Sequence, residues 1–206
     1  MKEITITTAK NLAELFHEGQ TRADKVTPYI EHPKKVVELV EKYHGSDYCV
    51  ALAWTHDILE ESAEKVKEHF HLTDVTSKSR FMLQMRDRWD TSFIFGLCKL
   101  SDHWKTDQFE IKEGKGKVAY LAELLIAANT DIVLVKLCDM LANIMESNGS
   151  RKSQEKRYYK AVQCLKMAER KDLDERHEEV IAAIEAHFNI HKANDKTRDN
   201  IKEVQE

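Results

Sequence analysis

Apolar residues recur along most of the chain at the three- and four-residue spacing that gathers them on one side of a helix. Leu12, Leu15 and Phe16 mark a first helix over roughly 8–18. Val36, Val37, Leu39 and Val40 mark a second that ends near His44-Gly45. Pro33 is expected at its first helical position, where a missing N–H is tolerated. A nearly continuous apolar run opens a third helix over 47–61, and a short fourth follows over 62–70. Thr73 or Asp74 is placed to cap the next, and 78–100 reads as one or two helices separated near Trp89-Asp90-Thr91. The stretch from Ser101 to Lys117 is polar, contains Gly114 and Gly116, and reads as a loop. Helical period resumes over 118–129 and over 131–146, with Asn148-Gly149 as a stop. Two amphipathic helices follow over 152–170 and 173–189, and residues 192–206 read as a polar tail that frays. No segment alternates with strand period. The pattern predicts one all-α helical bundle over 1–191, with Phe16 and Trp54 in its core.

Composition agrees with this and narrows the function classes. With only two prolines and six glycines in 206 residues, there is little to interrupt long helices. The formal net charge of -4 argues against a general polyanion-binding surface, so no nucleic-acid partner is expected. The basic residues Arg151, Lys152, Lys156, Arg157 and Lys160 read as a solvated helix face. No apolar run reaches the roughly 18–20 residues that span a bilayer, and the N-terminus has no signal-peptide pattern. Cys49, Cys98, Cys138 and Cys164 are widely spaced in apolar helical contexts, without a CxxC pair. They read as free thiols in a reducing compartment, and the expected location is cytoplasmic. Composition leaves an oligomer open.

The chemistry concentrates in Ala51-Leu-Ala-Trp-Thr-His56-Asp57-Ile-Leu-Glu60-Glu61. An apolar helix there gathers one imidazole and three carboxylates within two turns. Ionised groups buried without partners cost several kcal/mol, so a cation is expected beside them, and a divalent metal is the simplest candidate. His56 and Glu60 are four apart, as are Asp57 and Glu61, so each pair would share a helical face. Asp139 sits in a second apolar helix, four residues before Asn143, and poses the same charge problem. It could also pair locally with Lys136. His32 precedes the proline of the second helix. A pocket of His32, His56, Asp57 and Asp139 offers a mixed nitrogen and oxygen set that suits Mn²⁺, Fe²⁺ or Zn²⁺ better than Mg²⁺ or Ca²⁺. The dipeptide His56-Asp57 alone is weak evidence.

Five runs in order carry more weight. They are His17-Glu-Gly-Gln20-Thr-Arg22, Pro28-Tyr29-Ile-Glu-His32-Pro33, His56-Asp57-Ile-Leu-Glu60-Glu61, the weaker Cys98-Lys99-Leu100, and Lys136-Leu-Cys-Asp139-Met-Leu-Ala-Asn143. Together they resemble the HD-domain metal-dependent phosphohydrolases, and within them the stand-alone hydrolase domain of the RelA/SpoT homologues. The resemblance runs from about residue 8 to 147, with a helical continuation to about 190. It implies a helical bundle with the metal site in its interior. It also implies Mn²⁺-dependent removal of the 3′-pyrophosphate from guanosine tetra- and pentaphosphate, as in the stringent response.

The resemblance implies His32, His56, Asp57 and Asp139 as metal ligands. Glu60 and Glu61 match a paired acidic motif, usually Glu-Asp, that orients or deprotonates the attacking water. Asn143 matches a residue that contacts the nucleoside sugar, and Arg22 one that lies near the base. Lys25, Lys99, Lys112, Lys115 and Lys117 are candidates for neutralising phosphoryl charge, and His17 reads as a structural hydrogen-bonding residue. The chain departs from the family pattern in three places. Ala23 follows Arg22 where the family has lysine, and no glycine precedes Pro28-Tyr29. Met140 and Ala142 replace an arginine and a histidine. These changes surround base recognition, so hydrolysis of a different phosphorylated nucleotide stays open, as does a nucleotide-sensing module without turnover.

Overall fold

The computed structural model describes residues 3–74, 77–101, 115–146 and 152–203. Eleven helices make up the described part, and the one pairing of extended backbone in it is an isolated antiparallel bridge between Thr21 and Pro28. The all-α expectation holds. No helix among the described residues is long and apolar enough to cross a membrane.

The helices are α1 (Ile6–His17), α2 (Glu31–Lys42), α3 (Asp47–Thr55), α4 (Ile58–Glu61), α5 (Ala63–His69) and α6 (Lys78–Met85). They continue as α7 (Thr91–Leu100), α8 (Lys115–Ala127), α9 (Thr130–Met145), α10 (Lys152–Met167) and α11 (Glu175–Glu203). Most starts are set by local caps, in which a side-chain oxygen satisfies a free N–H of the first turn. Thr5 accepts from Thr8 N, Ser46 from Cys49 N, Asp90 from Ser92 N and Asn129 from Ile132 N.

Two helices form the centre. In α3 every residue from Cys49 to Thr55 is buried, and α9 buries nearly everything from Ile132 to Ile144. Helix α2 packs on both, α1 covers α3, α11 covers α9, and α8 packs on α10. Phe16 and Trp54 lie in the core as expected. Cys49, Cys98 and Cys138 are buried thiols, and Cys164 is half-buried. Burial pushes the Cys49 thiol up to about 11 and the Cys98 thiol up to about 12, so neither is a ready nucleophile.

Several local expectations are corrected. Pro33 is the third residue of α2, yet its missing N–H still falls among the first four donors that a helix leaves unsatisfied. Ser77 caps α6 in place of Thr73 or Asp74; Thr73 accepts nothing there and instead donates to Gln84, while Asp74 pairs with Arg80. Helix α8 begins at Lys115, inside the expected loop, and residues 102–114 of that loop lie outside the described residues, as do Asn148 and Gly149. Helix α11 continues to Glu203 through the expected tail, whose Lys, Arg and Asp residues include no proline or glycine to stop it. His177, in the first turn of α11, is fully buried; one ring nitrogen lies 2.8 Å from Asp174 Oδ1 and the other 2.8 Å from Thr130 O. It ties the start of α11 to the start of α9.

Gly96 marks the closest approach of α7 to α3. A Cβ there would lie 2.6 Å from Tyr48 Oη and 2.9 Å from Leu52 Cδ1. Relief would require the fully buried Leu52 to repack and the Tyr48 hydroxyl to leave Ser92 O, to which it donates at 2.9 Å. Gly96→Val is expected to cost about 1–3 kcal/mol of stability through overpacking, read as a lower urea midpoint at unchanged slope.

Candidate metal centre

The third helix expected over 47–61 is interrupted where the chemistry sits. Thr55 Oγ1 donates back to Ala51 O at 3.0 Å, a bond that bends helices, and the chain then leaves α3. Asp57 N-caps α4, and its carbonyl accepts from both Glu60 N and Glu61 N at 3.0 Å. The break turns His56 and Asp57 toward α2 and α9. Glu60 and Glu61 remain on the same cleft as Asp57, placed there by the single turn of α4.

Four side chains from three parts of the chain converge. His32 Nε2 lies 3.2 Å from Asp139 Oδ1 and 3.6 Å from Asp57 Oδ2. His56 Nε2 lies 3.1 Å from Asp57 Oδ1 and 3.7 Å from Asp139 Oδ1. All four residues are buried. His32, His56 and Asp57 form a group that can hold a divalent metal ion, and Asp139 stands against both imidazoles.

The donors fit such an ion. His56 Nδ1 lies 2.8 Å from Ala53 O, to which it donates, so the neutral ring carries its lone pair on Nε2. That Nε2 is buried and makes no well-formed hydrogen bond, although Asp57 Oδ1 stands 3.1 Å and Asp139 Oδ1 3.7 Å away. A cation about 2.0–2.2 Å from each donor places neighbouring donors about 3.0–3.4 Å apart, close to the separations in the cluster.

The charges around the cluster are balanced. Burial alone disfavours both imidazolium forms, but the carboxylates outweigh it, so His32 is raised and His56 is raised well above the ordinary histidine value. Burial would likewise raise the carboxyls, but the imidazoles lower Asp57, and Lys136 with the imidazoles holds Asp139 well below the usual carboxylate range. Lys136 Nζ donates to Asp139 Oδ2 at 2.7 Å, both groups being buried. The local Lys136–Asp139 pair and the cluster therefore coexist, one on each carboxylate oxygen.

A hydrogen-bonded ring joins the cluster to the rim. Arg22 Nη2 donates to Glu146 Oε2 at 2.6 Å, and Glu146 Oε1 accepts from His32 Nδ1 at 3.1 Å. Asn143 Nδ2 donates to Asp139 Oδ1 at 2.6 Å, and Asn143 Oδ1 lies 3.4 Å from Arg22 Nη2. Glu146 was not singled out from the sequence. It orients His32 as a carboxylate behind a metal-binding imidazole does, and removing such a group usually costs 10–100-fold in metal affinity. Glu146→Ala is expected to weaken Mn²⁺ binding by about that factor in a calorimetric titration; unchanged affinity would show that the His32 contact does not matter.

Other residues of the same sequence runs hold the site in place. Tyr29 Oη donates to Asp57 Oδ2 at 2.8 Å, and its ring stacks on His17 at 4.6 Å between centroids. His17 Nδ1 lies 2.8 Å from Gln20 Oε1, and Gln20 Nε2 donates to Glu61 O and to Ser62 Oγ, each at 2.9 Å. The His17 and Gln20 motif thus clamps the end of α4, and with it the acidic pair, against the end of α1. His17 is structural, as expected.

The cluster floors a cleft of about 350 Å³, whose walls include Arg22, Glu60, Glu61, Lys117, Asn143 and Arg157. Lys25 is elsewhere. It occupies an exposed turn at φ 61°, in a loop closed by Asp24, whose carboxylate accepts from Val26 N and Thr27 N at 2.9 Å. Lys99 lies over the Phe95 ring at 5.6 Å, and Lys112 and the side chain of Lys115 fall outside the described residues. Compared with protein-family models and with curated protein sequences, the chain matches none.

Proposed function

We propose that this chain is an HD-type metal-dependent phosphohydrolase that uses Mn²⁺ to remove the 3′-pyrophosphate of guanosine tetra- or pentaphosphate. The observation that supports it most is the buried convergence of His32, His56, Asp57 and Asp139, with His56 Nε2 unpartnered, beside the acidic pair of α4. A bound metal supplies Lewis acidity and a water of lowered pKa.

The chain's own groups do the rest. Glu60 or Glu61 accepts a proton from the attacking water, whose oxygen bonds to the 3′-phosphorus as the bond to the ribose 3′ oxygen breaks. The acidic pair returns that proton to the departing 3′ oxygen, so a 3′-hydroxyl and pyrophosphate leave. Tyr29 and Lys136 hold the second oxygens of Asp57 and Asp139, which fixes how both carboxylates face the cleft. Asn143 presents its amide on the cleft wall, within reach of a sugar hydroxyl.

A second reading keeps the hydrolysis and changes the nucleotide. It is favoured by Arg22, whose Nη2 is held by Glu146 at 2.6 Å and whose guanidinium lies 5.1 Å from the Tyr29 ring, so part of its bonding capacity is already used within the protein. Purified protein with Mn²⁺, offered guanosine tetraphosphate, its adenosine counterpart and nucleoside triphosphates, separates these readings by the product released. Pyrophosphate from the guanosine compound is the expected outcome. Preference for a triphosphate would replace the substrate assignment, and turnover of none would leave a sensing module.

A further inference from the structure

The geometry points to Arg157, on α10, as the residue that holds an anionic phosphoryl group of the ligand in the metal-bearing cleft. This rests on the reading of that cleft as a phosphoester site, and it moves anion recognition away from the loop that carries Arg22 and Lys25.

Two guanidinium groups line the cleft among the described residues, and they differ in what they have to bind. Arg22 is committed to Glu146 at 2.6 Å. The Lys136 ammonium is likewise committed to Asp139 at 2.7 Å, and Lys25 lines no part of the cleft. Arg157 differs from all of these. Among the described residues its Nε is buried and meets no acceptor, and its hydrogen-bond contact is weak, Nη2 lying 3.4 Å from Tyr158 Oη. The guanidinium sits over the Tyr158 ring at 5.0 Å, which holds its plane in place without using its donors. A buried N–H of a charged group costs free energy until an acceptor reaches it, and a guanidinium presents paired donors that match phosphate oxygens.

The position suits that role. Tyr158, which lines the cleft beside Arg157, is held above the ordinary tyrosine value mainly by burial, with Asp139 adding to the rise and Arg157 and Lys136 opposing it, so the α10 wall stands within electrostatic reach of the cluster. Helix α8 lines the same side through Lys117 and Tyr120. A ligand with charge to place beyond the metal would therefore lie toward α8 and α10, with its phosphoryl oxygens on the Arg157 guanidinium.

The test is calorimetric titration of inorganic pyrophosphate into the full chain saturated with Mn²⁺, for the wild type, Arg157→Gln and Arg157→Lys. Loss of charged hydrogen bonds predicts about 10- to 100-fold weaker pyrophosphate binding in Arg157→Gln, with Mn²⁺ affinity measured separately and unchanged. Arg157→Lys keeps the charge and the stem but lacks the planar fork, so it is expected to fall between the two. It also serves as the test if Arg157→Gln does not fold. Equal pyrophosphate affinity in the folded variants would overturn the assignment, as would failure of the wild type to bind pyrophosphate. If the wild type turns over no guanosine tetraphosphate while the variants still lose pyrophosphate binding, the reaction proposed above falls and the Arg157 subsite stands.

Discussion

Asp57→Ala is expected to abolish stabilisation of this protein by an added divalent metal ion and, with it, any metal-dependent turnover. Asp57 faces both imidazoles, His56 at 3.1 Å and His32 at 3.6 Å, and its other tie is the Tyr29 hydroxyl at 2.8 Å. Asp139 also faces both imidazoles but already spends one oxygen on Lys136, so it does not stand in for the missing ligand. An ion at a hundred times its dissociation constant stabilises the native state by about 2.7 kcal/mol, and for a chain of this length that raises Tm by roughly 5–11 °C. Wild-type protein is expected to show such a rise on adding Mn²⁺ after chelator treatment, and Asp57→Ala none. A melting curve of Asp57→Ala that moves with Mn²⁺ as the wild type does would remove Asp57 from the metal site.

The largest effect on stability alone is expected from Lys136→Met. The variant keeps most of the side-chain volume inside α9 and deletes the cation that faces Asp139. Both groups are almost wholly enclosed, Lys136 at 8% and Asp139 at 5% exposure, so water cannot take the lysine's place. Breaking one side of a buried ion pair leaves an uncompensated charge and typically costs about 3–5 kcal/mol. The remaining partners of Asp139 are the two imidazoles and the Asn143 amide. The loss should therefore be fullest in chelator-treated protein and smaller with Mn²⁺, which supplies a compensating charge. Urea unfolding of both proteins with and without the metal measures this. A cost below about 1 kcal/mol without metal would mean that the pair is not isolated from solvent. Pairing Lys136→Met with Asp139→Asn should recover much of the loss, since the orphaned charge goes with it.

Much of this molecule was legible one residue at a time. The apolar spacing of Leu12 and Phe16, of Val36, Val37 and Val40, and the run from Ile132 to Leu137 marked α1, α2 and α9, a pattern internal to each segment. The one cap read from the sequence, Thr73 or Asp74, gave way to Ser77. Asp139 stood out because a carboxylate in an apolar helix demands compensation wherever that helix packs. Glu146 did not stand out, since a glutamate at a helix end is ordinarily solvated. Its importance depends on His32 and Arg22, which lie 114 and 124 residues away in the chain. Arg157 was equally hidden among the basic residues of an amphipathic helix.

The sequence by itself determined that the chain is helical, where most helices lie, and which imidazoles and carboxylates needed a cation. Hydrophobic period and the cost of buried charge are properties of neighbouring residues. Only the tertiary structure decided which donors meet. The packing of α2, α3 and α9 brings His32, His56, Asp57 and Asp139 within a few ångströms of one another and ends α3 at the pair it presents. It also turned Arg22 toward Glu146 and left Arg157 facing the cleft with an unfilled donor. Hydrogen bonds and metal ligation depend on separations of a few tenths of an ångström between groups far apart in the chain, and the close packing of buried helices sets those separations.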